Sequence, residues 1–223
     1  MGWGSKKKSS QKILSKLFHG LSAMLILCLL FFSYKYFIKA PLDLNKNTSS
    51  QSVIDNYSID VFKSSIEFNI PYEYLMSLIQ LECSGLKPAG DRFEPHVYRQ
   101  LKKVQVGSLE NYENVTASHL YDASDEAIIN LATSWGPFQL MGYKCILLDV
   151  KIRDIRGPNG VHYGTQWINL TYGNRLRKAE YKHCFHLHNT GKLYPSTGLP
   201  TTHDPQYVQR GLSGLKRFST PNN

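Results

Sequence analysis

Between Val53 and Phe218 apolar residues recur at helical rather than strand spacing. Val53, Ile54, Tyr57, Val61 and Phe62 mark a first amphipathic helix. Pro71 fits the first position of a second, because its missing N–H would have no partner there anyway. Along that second helix Leu75, Leu78, Ile79 and Glu82 fall on one face, and Gly85 stands where a left-handed C-terminal cap belongs. Glu82 is therefore the anomaly of the pattern, a carboxyl on an apolar stripe. Burial penalises an ionised carboxyl by several kcal/mol unless it is paired or protonated. The plain alternative is an exposed glutamate in the last turn.

The spacing predicts a short helix over residues 95–105 and an irregular polar excursion over 107–121. Ser124 is placed to cap a helix to about Thr133, with Asp125 and Glu126 complementing its dipole. Further helices are expected over 138–148, over 165–188 with Asn189-Thr190-Gly191 as its stop, and from Asp204-Pro205 to about Phe218. Residues 153–164 and 192–203 read as loops. No alternating strand of useful length stands out, although a small hairpin fits within 85–95 or 105–118. The expected fold class is mainly α.

Charge changes the picture at one end only. The chain has 223 residues and a net charge of +9, but Lys6, Lys7, Lys8, Lys12, Lys16, Lys35 and Lys39 carry seven of those charges in a stretch without acids. The remainder is nearly neutral, which argues against a nucleic-acid partner. Residues 17–38 are almost wholly apolar and long enough to cross a bilayer if Lys35 snorkels. The organisation expected is a basic cytoplasmic tail (1–16), a transmembrane anchor (17–38), a polar linker (39–52) and a globular domain (53–220) on the far side of a bacterial inner membrane. The alternative for the first segment is a signal peptide cleaved near Ile38-Lys39-Ala40.

Cys28 lies in the apolar segment, leaving Cys83, Cys145 and Cys184 for an exported domain. Cys145 and Cys184 either bridge or are small buried residues. No CxxC or HExxH spacing occurs, and His183, His186 and His188 have poor metal spacing, so they read as a solvated or core-flanking helix face. No metal or cofactor is expected.

Glu82-Cys83-Ser84-Gly85, Gly136-Pro137-Phe138-Gln139, His188-Asn189-Thr190-Gly191 and Tyr207-Val208 come in that order on the helical pattern. Together they resemble the lysozyme-like family of bacterial lytic transglycosylases and phage-type N-acetylmuramidases. The family pattern is Glu-Ser-x-Gly, Gly-x-x-Gln, Tyr-Asn-x-Gly and a late Tyr-Val. Residues 92–98, with Ser134-Trp135-Gly136, look closest to the muramidase branch, and the resemblance spans about residues 55–218. It departs from the family at Cys83, where Ser or Thr is usual, and at His188, where Tyr is usual.

The resemblance implies a lysozyme-like domain that cleaves the β-1,4 bond between N-acetylmuramic acid and N-acetylglucosamine. Glu82 would be the general acid, and Glu94 either the second catalytic carboxylate or a loop brace. Gln139, Ser134, Gly136, Phe138 and Asn189 would line or shape the substrate groove, and Tyr207 would orient Glu82. Trp135 and Phe138 could stack on sugar faces, although aromatics at such turns are more often core. Peptidoglycan strands are the implied partner. The rival expectation is a non-catalytic wall-binding scaffold of a secretion or conjugation apparatus.

Overall fold

The computed structural model describes residues 44–219, so the basic tail and the apolar segment 17–38 lie outside the described residues. The chain divides into Met1–Lys46 and Asn47–Asn223, and the second unit carries the folded body. Among the described residues no helix is long and apolar enough to cross a membrane.

The mainly helical expectation holds. Helix α1 (Leu44–Phe68) is followed by α2 (Tyr72–Cys83), with Pro71 just ahead of it at φ −56°. Residues 44–52, expected as linker, are instead the start of α1. Ser50 is buried and accepts a 2.8 Å hydrogen bond from Gln80 Nε2, and Val53 is fully buried. Their polar composition hid this, because a helix can satisfy serine hydroxyls against a neighbour as readily as water can.

Strand β1 (Asp91–Phe93) leads into α3 (Pro95–Gln105). A two-stranded hairpin, β2 (Asn111–Tyr112) and β3 (Val115–Thr116), lies within the expected excursion and is followed by α4 (Ala117–Leu120). Helix α5 (Asp125–Leu131) starts at the expected cap, with the Ala127 N–H donating to Ser124 Oγ at 3.2 Å.

The expected helix over 138–148 is replaced by sheet. Strands β4 (Thr133–Trp135) and β5 (Leu140–Met141) form a hairpin with Ser134 opposite Met141, and β1 adds antiparallel to β4 with Arg92 opposite Ser134. Only Lys144–Leu147 of that span is helical (α6). Gly136 and Gln139, at φ 73° and 48°, turn the chain left-handed twice in four residues, which no helix tolerates.

Residues expected as loop include α7 (Ile152–Arg156) and the start of α8 (Gly160–Arg177). The expected single helix over 165–188 is two, α8 and α9 (Tyr181–Thr190), separated by Ala179 at φ 56°. Gly191, at φ 71°, ends α9 as its sequence position implied. Helix α10 (Tyr207–Ser219) closes the described chain.

Two hydrophobic clusters result. The larger joins α1, α2, α8, α9 and α10 through residues such as Tyr74, Leu78, Ile168, Phe185 and Val208. The smaller joins α3, α5 and α7 through Leu101, Val104, Ile128 and Ile155. Cys83, Cys145 and Cys184 are all free and buried, with Cys145 in the smaller cluster and Cys184 in the larger, so the Cys145–Cys184 bridge is absent. Burial pushes the Cys145 thiol up to about 11 and the Cys184 thiol up to about 12.

Candidate active site

Glu82 stands in the last turn of α2, where Ser84 and Gly85 adopt φ 53° and 77° and end the helix. Helix α10 packs directly along α2. A side chain at Gly211 would come within 2.8 Å of the Phe185 ring, and one at Gly214 would overlap the Ser77 hydroxyl. Ser77 Oγ donates to the Gly211 carbonyl at 2.8 Å and ties the two helices together. Small residues on α10 thus permit the close approach that brings Tyr207 onto Glu82.

The Tyr207 hydroxyl donates a short hydrogen bond to Glu82 Oε1. Burial, and then the neighbouring Glu82 charge, hold the Tyr207 phenol well above its ordinary range, so it remains an O–H donor. Glu82 is not the exposed last-turn residue of the plain alternative, since its side chain is only 15% exposed.

A second group faces the same oxygen. His188 Nε2 lies 3.8 Å from Glu82 Oε1 and donates to the Phe138 carbonyl at 3.0 Å. A carbonyl can only accept, so Nε2 carries the proton, and Nδ1 accepts from the Tyr172 hydroxyl at 2.8 Å. The Tyr74 hydroxyl donates to Tyr172 at 3.3 Å. Tyr172 lies at a kink inside α8, with φ −144°, which departs from the helical range. His188, expected among the histidines of a helix face, is therefore 7% exposed and terminates a buried polar chain. His186 is likewise buried, with Nδ1 2.8 Å from the Lys192 carbonyl and Nε2 accepting from the Thr201 N–H at 3.2 Å.

The Tyr207 hydroxyl and the His188 ring thus both face the same oxygen of the Glu82 carboxyl, Oε1. Cys83 offers no rival nucleophile. Its thiol is buried, lies 3.4 Å from the Ile79 carbonyl, and is pushed upward chiefly by burial, away from the thiolate.

The Gly136–Gln139 turn forms the next wall. A side chain at Gly136 would overlap the Ile155 carbonyl oxygen, so glycine is required by space as well as by φ. Gln139 Oε1 accepts from Ser134 Oγ at 2.9 Å, while its Nε2 donates to the carbonyls of Gly136 at 3.1 Å and Gly90 at 3.3 Å. Its amide protons thus brace the hairpin and the residue that leads into β1.

Two expected groove residues change role. Phe138 is 1% exposed, with its ring where a side chain at Gly164 would clash, and so belongs to the core. Ser134 is also buried and holds Gln139 in place. Trp135 donates its indole N–H to the Asn130 carbonyl at 2.9 Å.

A cleft of about 540 Å³ passes Gln139, Tyr172, His188 and Asn189 and reaches Tyr112, Glu113, Tyr143, Lys144 and Trp167. Glu82 meets it through His188 rather than as a lining side chain. Glu94 does not line it, and its carboxylate is paired with Arg92 Nη2 at 2.7 Å. No hydrogen bond or ion pair joins Glu82 to Glu94 among the described residues. No local pattern pointed to Tyr172, Lys144, Glu113 or Trp167, which only tertiary packing brings together.

No family model matches the chain, and no curated protein matches it. Among solved structures it is similar to the crystal structure of Burkholderia AP3 phage endolysin, at 17% identity and a TM-score of 0.48, over 73% of this chain and 70% of that one. A likeness at that level carries no argument about activity.

Proposed function

We propose that this protein is a membrane-anchored enzyme, facing the periplasm, that cleaves the β-1,4 glycan strands of peptidoglycan, with Glu82 as the general acid. The observation that carries this proposal is the setting of Glu82. It is a nearly buried carboxyl at a helix end, held through one oxygen by Tyr207 and flanked by His188 at the edge of a cleft. A positioned carboxyl is what protonation of a glycosidic oxygen requires.

The pairing of Glu94 with Arg92 favours a route needing one carboxyl, in which the sugar's own 6-hydroxyl closes to an anhydro end. A second route, water attack assisted by Glu94, draws support from β1. The carbonyls of Gly90 and Arg92 lie within hydrogen-bonding range of Gln139 and Ser134, which ties the Glu94 strand to the cleft wall. Neither route calls for a cofactor.

Incubation of the full-length chain with cell-wall sacculi tests the proposal. Soluble muropeptides are expected, and Glu82→Gln should stop their release. Undiminished release by that variant overturns the proposal. Sacculus binding without release would identify a wall-binding scaffold instead.

A further inference from the structure

The far end of the cleft holds a cation with loose compensation. Lys144, at the start of α6, has its ammonium 4.3 Å above the Trp167 ring and 4.7 Å from the Tyr143 ring. Its side chain is 15% exposed, and burial lowers its pKa against the opposing pull of Glu113. The counter-charge is Glu113 Oε2 at 3.5 Å. A close charge-assisted hydrogen bond between such groups is about 2.7–2.9 Å long. Lys102 and Asp125 make one on the surface, at 2.8 Å.

Glu113 sits on the exposed β2–β3 turn, where it and Asn114 take φ 51° and 66°. The carboxylate opposite Lys144 is thus carried by a solvent-facing tip. The ammonium, by contrast, is fixed between aromatic walls in the cleft. A desolvated ammonium with spare N–H donors gains when a further carboxylate enters beside it, and the ring faces sharpen that gain by excluding water.

We propose that Lys144 forms an anion-reading subsite, which takes a carboxylate borne by the lactyl or peptide substituent of the glycan and so separates acid-bearing strands from neutral amino-sugar polymer. This rests on the glycan-binding proposal above. Glu113 is the internal competitor for the same ammonium, and its removal should free the subsite.

The test uses the full-length chain carrying Glu82→Gln, so that ligands are bound without turnover, and measures affinity by calorimetry. Three probes are compared: a peptide-bearing glycan tetrasaccharide, the same glycan stripped of peptide by an amidase, and chitotetraose. Adding Lys144→Met should weaken the acid-bearing probes about tenfold and leave chitotetraose within about twofold. Adding Glu113→Gln instead should strengthen the acid-bearing probes and not chitotetraose. A Lys144→Met loss confined to the peptide-bearing probe identifies a peptide carboxylate. A loss confined to the stripped glycan identifies the lactyl carboxylate, which is tied up as an amide until the peptide is removed, and a loss on both shows that either carboxylate is accepted. Equal effects on all three probes overturn the inference and leave glycan binding standing. Absence of binding by every probe overturns both. Because Glu113 lies on an exposed turn, its variant reads the same subsite even if Lys144→Met fails to fold.

Discussion

The two carboxylates nominated by the sequence lie in opposite surroundings. Glu82 ends a helix of the larger cluster, is 15% exposed, and meets a phenol and an imidazole fixed by buried hydrogen bonds. Glu94 leads into a helix of the smaller cluster and meets Arg92, whose side chain is 78% exposed. The first is held by groups that cannot move away without breaking the core. The second is held by a flexible, solvated side chain whose pairing is worth little. Position within the packing, not residue type, separates a carboxyl held by buried neighbours from one paired with an exposed arginine.

The largest expected effect tests that contrast directly. Glu82→Gln should lower muropeptide release by about 10²–10⁴-fold, the usual contribution of a general acid. Glu94→Gln should leave release near the parent rate, with anhydro ends detected by mass spectrometry. Reducing ends that differ by one water, together with a collapse of activity in Glu94→Gln, would reverse the contrast and favour the two-carboxylate route.

Next in size is the test of Phe138 as core rather than sugar platform. Phe138→Ala should cost about 3–5 kcal/mol in denaturant unfolding, as for other large-to-small changes in a core. Gly164→Ala, which pushes a methyl into the same ring, should cost about 1–3 kcal/mol. A stable Phe138→Ala variant with weakened glycan binding would restore the platform role.

A pH series separates the buried groups from the surface ones. Burial holds the phenols of Tyr74, Tyr172 and Tyr207 well above their ordinary range and raises the thiols of Cys145 and Cys184 to about 11 and 12. The folded chain therefore keeps protons that the unfolded chain gives up. Stability should be complete below the unfolded thiol range near pH ~8.5 and fall as pH rises through it, then more steeply above about pH 10, by about 1.4 kcal/mol per pH unit per group. Tyr172→Phe should flatten the steeper part of a urea titration series, and an unchanged slope would show that the phenol is not buried in solution.

The smallest effect belongs to Arg92→Ala. Its exposed pair should contribute less than about 1 kcal/mol to unfolding, with even that reduced by salt. A larger loss would mean that the Glu94 region is held as firmly as Glu82.

Much of this arrangement was legible in the sequence. The 3.6-residue spacing of Leu75, Leu78 and Ile79 placed Glu82 on an apolar face, Ser124 marked the start of a helix, and Gly191 marked the end of another. These signals are local, because capping and periodicity depend on neighbours a few residues apart. The sheet was not legible. Strands of two or three residues, such as Leu140–Met141, are too short for alternation to show, and the pairing of Arg92 with Ser134 spans a separation that no local pattern encodes. The start of α1 was missed for a related reason, since Ser50 is polar yet buried against Gln80.

The sequence by itself determined the helical body, the helix-end carboxyl and the stop of α9 at Gly191, each through the conformational preferences of a few adjacent residues. Tertiary structure alone decided which groups meet that carboxyl. Tyr207 comes from 125 residues away because glycines let α10 close on α2, and His188 is oriented by tyrosines on two other helices. Such contacts arise from packing geometry, which spacing along the chain does not carry.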